Sequence, residues 1–237
     1  MEVSIVIPAY NEGSRIGPTL KRAIEYSDRH FSDYEIIVVD DGSKDNTIDI
    51  VAKHKNPHLR LLKNGINRGK GYSVRRGVLQ ARLPYVLFSD SDLATPIEEI
   101  EKLAWFLDRE YDIAFGSRNV KGSEIRVKQP WYRILVGRGF ALLVNLFAVH
   151  GFRDTQCGFK IFKKRAAREI FRRSRLDRFS FDVEVLFIAK KRGYKIKEVP
   201  IIWIDKKGSK VDPVKDSLRM LRDILVIRLN SLFGLYR

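Results

Sequence analysis

Residues 3–10, VSIVIPAY, form a short β-branched apolar run ended by a proline, the pattern of a buried strand leading into a loop. Apolar positions then fall at helical spacing over 14–30, at Ile16, Leu20 and Ile24. The alternation continues. YEIIVVDDGS (34–43) is a second buried strand that stops at Asp40, Asp41 and Gly42, and DNTIDIVAKHK (45–55) is a helix with an acidic first turn. LRLLKN (59–64) is a third strand, NRGKGY (67–72) a glycine-rich turn, SVRRGVLQA (73–81) a helix and YVLFSDSD (85–92) a fourth strand. This β-α-β-α-β-α-β order predicts an α/β fold with a largely parallel central sheet and helices on both faces. No repeat, low-complexity tract or linker interrupts it, so one domain over 1–213 with a C-terminal extension over 214–237 is expected.

The extension has its own pattern. From Leu218, the residues Leu221, Leu225, Leu229, Leu232 and Tyr236 recur every three or four positions as one apolar stripe. Met220, Ile224 and Ile227 broaden it, Arg222 and Arg228 border it, and Arg219, Asp223, Val226 and Asn230 occupy the opposite side. Such a helix either packs on the core or lies in a membrane interface.

Charge sharpens that choice. The net charge is +16, and residues 160–237 hold 22 of the 45 basic residues but 9 of the 29 acidic ones. A surface of this kind attracts an anionic partner: nucleic acid, acidic lipid or a phosphorylated substrate. No recognised nucleic-acid module or stacking-aromatic pattern accompanies the basic residues, so nucleic acid is not expected. With 44% hydrophobic and 31% charged residues the chain is globular in composition. One cysteine, Cys157, excludes an internal disulfide framework, and the four histidines lack metal-ligand spacing. The longest apolar run, FALLVNLFAV (140–149), is half a membrane span and contains Asn145, while the N-terminus has no basic flank before its apolar residues. The expectation is a cytoplasmic protein, peripheral at the cytoplasmic face of a membrane and in contact with its anionic surface.

Parallel α/β sheets bind ligands at the carboxyl ends of their strands. Polar residues collect there: Tyr10, Asn11 and Glu12, then Asp40 and Asp41, then Asn67 to Lys70, then Asp90 and Asp92. Facing acids repel unless a cation lies between them. Two carboxylates one residue apart at a strand end suit Mg²⁺ or Mn²⁺ shared with substrate phosphates. Neither a Walker A loop nor a GxGxxG fingerprint is present.

SIVIPAYNE, IIVVDDGSKDNT, NRGKG, FSDSDLATP and AFGSR, in this order and spacing, resemble the family 2 glycosyltransferases of GT-A fold. DTQCGFKIFKKRAAREIF, RFSFDVEVLFIAKKRGYKIKEVPIIW and GSKVDPVKDSLRMLRDI resemble its branch acting on dolichyl or related polyprenyl phosphate, nearer the glucosyl than the mannosyl members. The resemblance implies that Pro8, Tyr10 and Glu12 line a nucleoside pocket, that Asp40 or Asp41 contacts base or ribose, and that Asp92 with Asp90 holds the metal on the donor diphosphate. Asn67, Lys70 and Lys210 join the nucleotide-sugar set. Mannosyl members carry glutamine two residues beyond the second aspartate; Ala94 stands there, which favours UDP-glucose as donor over GDP-mannose.

The acceptor phosphate needs cations. Arg118, Arg133 and Arg138 are the candidates, guanidinium groups being suited to forked phosphate recognition. The resemblance pairs the arginine at 133 with a serine whose position is Gly137 here. Asp182 and Glu184, in the run FSFDVEVLF, are candidates for general base, sugar contact or structural ion pair. A phosphate acceptor is already ionised, so positioning should outweigh proton removal. Asp92, Arg118 and Asp182 are the expected catalytic residues. The expected reaction is inverting transfer of glucose from UDP-glucose to dolichyl phosphate, with another donor, another polyprenyl phosphate or a nucleic-acid role as the alternatives.

Overall fold

The computed structural model describes residues 1–127, 139, 143–206 and 213–237, with no side chains described over 213–218. Four strands and three helices follow the expected order: β1 (Glu2–Ala9), α1 (Ile16–His30), β2 (Asp33–Asp40), α2 (Thr47–Lys53), β3 (Leu59–Lys63), α3 (Lys70–Leu79) and β4 (Tyr85–Ser89). A short turn of 3₁₀ helix over Ile97–Glu99 leads into α4 (Ile100–Leu107), followed by β5 (Ile113–Ser117) and β6 (Glu124–Val127). The second half supplies β7 (Phe159–Lys163), α5 (Lys164–Arg173), α6 (Phe181–Lys191), β8 (Ile196–Pro200), β9 (Ile202–Ile204) and α7 (Pro213–Leu232).

Seven strands make one sheet in the order β3-β2-β1-β4-β7-β5-β8, and β6 and β9 pair in parallel as a separate ribbon. β1, β2, β3 and β4 run parallel, β5 runs parallel to β8, and β7 alone lies antiparallel between β4 and β5. Strands alternate their side chains between two cores. Val3, Ile5 and Ile7 meet α1 and α4, while Val6, Val39 and Phe88 meet α3, α5, α6 and α7.

The sheet order reverses between β1 and β4, and such a switch point opens a crevice at the strand ends. The β1–β4 ladder ends at Val6–Phe88, whereas β1–β2 runs on to Ala9–Asp40. Pro8, with no N–H to donate, lies just beyond the last β1–β4 pair.

Two expectations change. Helix α3 starts at Lys70, inside the turn read as a loop, because Gly69 at φ +107° turns the chain directly into it. In α7, Met220, Ile224 and Ile227, with Tyr236 beyond the helix, enter the sheet's own core, while the leucines read as the main stripe face outward: Leu225 is 64% exposed, Leu229 49% and Leu232 78%. The extension therefore shares its inner face with the rest of the molecule.

Candidate active site

The crevice is built at the ends of β1 and β4. After β4 the chain turns through Asp90, Ser91 and Asp92. Thr19 of α1 donates to the Ser91 carbonyl (2.7 Å), the Ala94 N–H donates to Asp92 Oδ1 (3.0 Å), and Leu93 adopts φ +47°. The Asp90 N–H donates to the Gly158 carbonyl (3.1 Å). A Cβ on Gly158 would lie 2.1 Å from Asp90 Oδ2, so this glycine leaves room for the carboxylate.

Cations alternate with these acids. Lys70 Nζ pairs with Asp90 Oδ1 at 2.7 Å. Burial opposes the lysine's charge, but Asp90 and Asp182 outweigh it and hold the ammonium above its ordinary pKa. Arg15 grips Glu12 with two hydrogen bonds (2.6 and 2.8 Å) and reaches Asp92 at 3.8 Å. Burial, with Asp90 beside it, pushes the Asp92 carboxyl above its ordinary value. Beneath them Lys160, almost fully buried on β7, donates to the Cys157 carbonyl (2.5 Å) and to Asp182 at the start of α6. Burial raises Asp182, against the pull of Lys160 and Lys70.

Other expected site residues have structural partners. Asp40 accepts from the backbone of Gly42 (3.0 Å) and Ser43 (3.2 Å). Asp41 accepts from Asn64 (2.8 Å) and from the N–H groups of Arg68 (2.9 Å) and Gly69 (2.8 Å), so it shapes the loop carrying Lys70. Glu12 also ties α2 to the site through its N–H bond to Thr47 (2.7 Å). Tyr10 and Asn67 sit on the loops at the rim, Tyr10 half-buried and Asn67 exposed.

Arg118 is paired within the fold. Its Nε and Nη2 both bond the buried Asp154 carboxylate at 2.7 Å, and its N–H does so at 2.9 Å. The fork expected for the acceptor phosphate is thus taken by Asp154, leaving Nη1 outside it. Glu184 is held apart from the aspartates. It is fully buried on α6 among the Arg175 and Leu176 N–H groups and the Tyr236 hydroxyl, and no bond ties it to the aspartate cluster. Arg133, Arg138 and Lys210 lie outside the described residues.

Sequence reading missed Arg15, Lys160, Asp154 and Gly158. Lys160 had one signal, a charge in the otherwise apolar strand FKIF; the other three join the candidate site only through contacts across the fold.

Asp90 and Asp92 are hard oxygen donors that fit a divalent cation. Among the described residues no group of three or more His, Cys, Asp or Glu is placed to hold a metal. Two carboxylates alone leave most of such an ion's shell to phosphate oxygens and water.

The glycosyl transferase family 2 model matches residues 4–171. A dolichyl-phosphate beta-glucosyltransferase from Dictyostelium discoideum is 38% identical over 250 residues, covering 99% of this chain and 76% of that protein. The dolichyl-phosphate beta-glucosyltransferase of Homo sapiens is 36% identical over 251 residues, covering 100% and 78%. Among solved structures, mannosyl-3-phosphoglycerate synthase from Rubrobacter xylanophilus superposes with a TM-score of 0.70 at 18% identity, over 99% of this chain and 74% of that one. Glucosyl-3-phosphoglycerate synthase from Mycobacterium tuberculosis, in complex with Mn²⁺, UDP-glucose and phosphoglyceric acid, gives 0.68 at 16% identity, over 97% and 79%. These likenesses show the GT-A fold that the strand order describes. With a family model matched over most of its length, and relatives above 30% identity that align with nearly the whole of it, the chain belongs to the family 2 glycosyltransferases.

Proposed function

We propose that this enzyme transfers glucose from UDP-glucose to dolichyl or a related polyprenyl phosphate, with inversion at the sugar carbon. The observation that carries the diphosphate-donor part is the Asp90–Asp92 pair beside Lys70 at the sheet's switch point. The relatives' names supply the sugar and the acceptor.

Asp90 and Asp92 would hold Mg²⁺ or Mn²⁺, which supplies charge neutralisation at the leaving diphosphate. Lys70, now on Asp90, would add a second positive charge beside that diphosphate. Pro8, Tyr10, Glu12, Asp40, Asp41 and Asn67 frame the nucleoside, Asp40 and Asp41 chiefly by fixing their loops, and Lys210 remains a proposed diphosphate contact. The acceptor's ionised phosphate attacks without a general base, so the chain's task is orientation and electrostatic stabilisation. Asp182, held by Lys160, lies against Lys70 and Asp90 as a fixed negative group. Arg133 and Arg138 are the proposed acceptor-phosphate cations, with Arg118 contributing charge from its Asp154 pair.

No described helix is long and apolar enough to cross a membrane. The outward face of α7 offers Leu225, Leu229 and Leu232, with Phe233 just beyond it, beside exposed Arg222 and Arg228, which supports peripheral contact with an anionic membrane surface; the proposed side is the cytoplasmic one. The domain reading is likewise one catalytic unit over 1–213 with 214–237 as a helix that serves both core and membrane.

A donor panel that includes UDP-glucose and GDP-mannose, scored by radiolabel moving into the organic phase with extracted polyprenyl phosphate, tests the reaction. UDP-glucose should label the lipid in Mg²⁺ or Mn²⁺, and Asp92→Asn should lose most activity while keeping its circular dichroism. Labelling from GDP-mannose alone would overturn the donor, and full turnover of Asp92→Asn in chelator would overturn the metal.

A further inference from the structure

The segment 174–180 between α5 and α6 joins two parts of the molecule that the reaction leaves unconnected. On one side it packs against the start of α3. The Tyr72 N–H donates to the Asp177 carbonyl (3.1 Å), and Arg75 donates to the Asp177 carboxylate (2.6 Å) and the Ser174 carbonyl (3.3 Å). A Cβ on Gly69 would lie 2.3 Å from the Asp177 carbonyl oxygen, and one on Gly71 2.5 Å from that of Leu176. These neighbours are backbone atoms, which cannot swing aside, so the segment fixes the path of Gly69, Lys70 and Gly71.

On its other side the segment hangs from Glu184. The Arg175 N–H lies 2.9 Å from both carboxylate oxygens and the Leu176 N–H 2.9 Å from Oε2, while the Tyr236 hydroxyl donates to Oε1 at 2.6 Å. Glu184 and Tyr236 are both fully buried. Burying a carboxylate is costly unless hydrogen bonds compensate it, and here they come from this segment and from Tyr236. What Glu184 holds is the segment whose carbonyls pack against Gly69 and Gly71, the two neighbours of Lys70.

We propose that Glu184 and Tyr236 are positioning residues for Lys70, so that the segment after α7 is part of the donor site's construction. This rests on the reading of Lys70 as a donor-diphosphate cation, and the controls separate the two. Tyr236→Phe keeps the ring, which packs edge-on to Phe187 at 6.0 Å, and removes only the hydroxyl. By calorimetry with UDP and Mn²⁺ it should weaken binding by about tenfold, the low end of the loss seen when outer-shell partners of a metal site are removed. Lys70→Ala should weaken it at least as much, and the double variant no more than Lys70→Ala alone, because both changes act through one group. Additive losses, or unchanged affinity in Tyr236→Phe where Lys70→Ala weakens binding, would overturn the proposal. If Lys70→Ala leaves UDP affinity intact, the donor reading of Lys70 is wrong and the positioning role falls with it. Hydrogen exchange gives the mechanical arm: amides of 69–72 should exchange faster in Tyr236→Phe while those of β1 and β2 stay protected, and unchanged exchange at 69–72 counts against the relay. Should Tyr236→Phe misfold, Glu184→Gln carries the same measurements.

Discussion

Gly158 stands where any side chain would meet the Asp90 carboxylate at 2.1 Å. The obstacle is the end of a side chain and not backbone, so Gly158→Ala should displace Asp90 and leave the fold in place. Turnover should fall by about tenfold or more, as for misplaced metal-site groups, with a melting shift of no more than about 2–4 °C; activity assays beside a thermal melt give the check. Asp154 differs because its partner is a charge. Burial pushes its carboxyl up, yet Arg118, by charge and hydrogen bonds, outweighs burial and holds it below the ordinary value. Its stabilising contribution is therefore complete above the unfolded pKa of about 3.9 and is lost as pH falls through the depressed folded value. Urea unfolding across that acid range should show a shallower loss of stability in Asp154→Asn than in the wild type.

At the scale of elements, β7 brings Lys160 under the site and α6 brings Asp182 to meet it. Lys160→Met leaves the buried Asp182 without its hydrogen-bonded partner, which should destabilise the enzyme by about 3–5 kcal/mol. Lys160→Met combined with Asp182→Leu removes both charges and should recover most of that stability. If Asp182 also orients Lys70, the double variant melts near the wild type but stays impaired in turnover. Recovery of turnover together with stability would make the pair purely structural. The run FSFDVEVLF reads as alternation along the sequence, but every residue of α6 from Phe181 to Ala189 is buried. Periodicity cannot distinguish a strand from a helix enclosed on all sides.

For the whole molecule, α7 carries two apolar faces, one buried and one exposed. Its Met220–Ile224–Ile227 face lies in the core, so truncation after Asp216 would expose that core and confuse any membrane assay. Leu225→Ser with Leu229→Ser alters only exposed positions. This variant should melt like the wild type yet float less with anionic liposomes. Added salt should weaken flotation of the wild type further, since each basic residue near such a surface contributes about 1 kcal/mol that salt screens. Equal flotation by both proteins would remove α7 from the membrane contact.

The first four strands, the parallel sheet and the acidic strand ends were legible in the chain itself, because each is written locally as a β-branched run broken by turn residues and acids. The Asp-x-Asp pair and the glycine-flanked Lys70 were legible for the same reason. The antiparallel insertion of β7, the capture of Arg118 by Asp154 and the pairing of Lys160 with Asp182 were not, since each joins residues from distant parts of the chain. A repeat of three or four residues announced α7 but left open which apolar line faces inward. Packing decided that, placing Met220, Ile224 and Ile227 in the core and the leucines outside. Burial is a property of neighbours, and neighbours exist only once the sheet has brought them together.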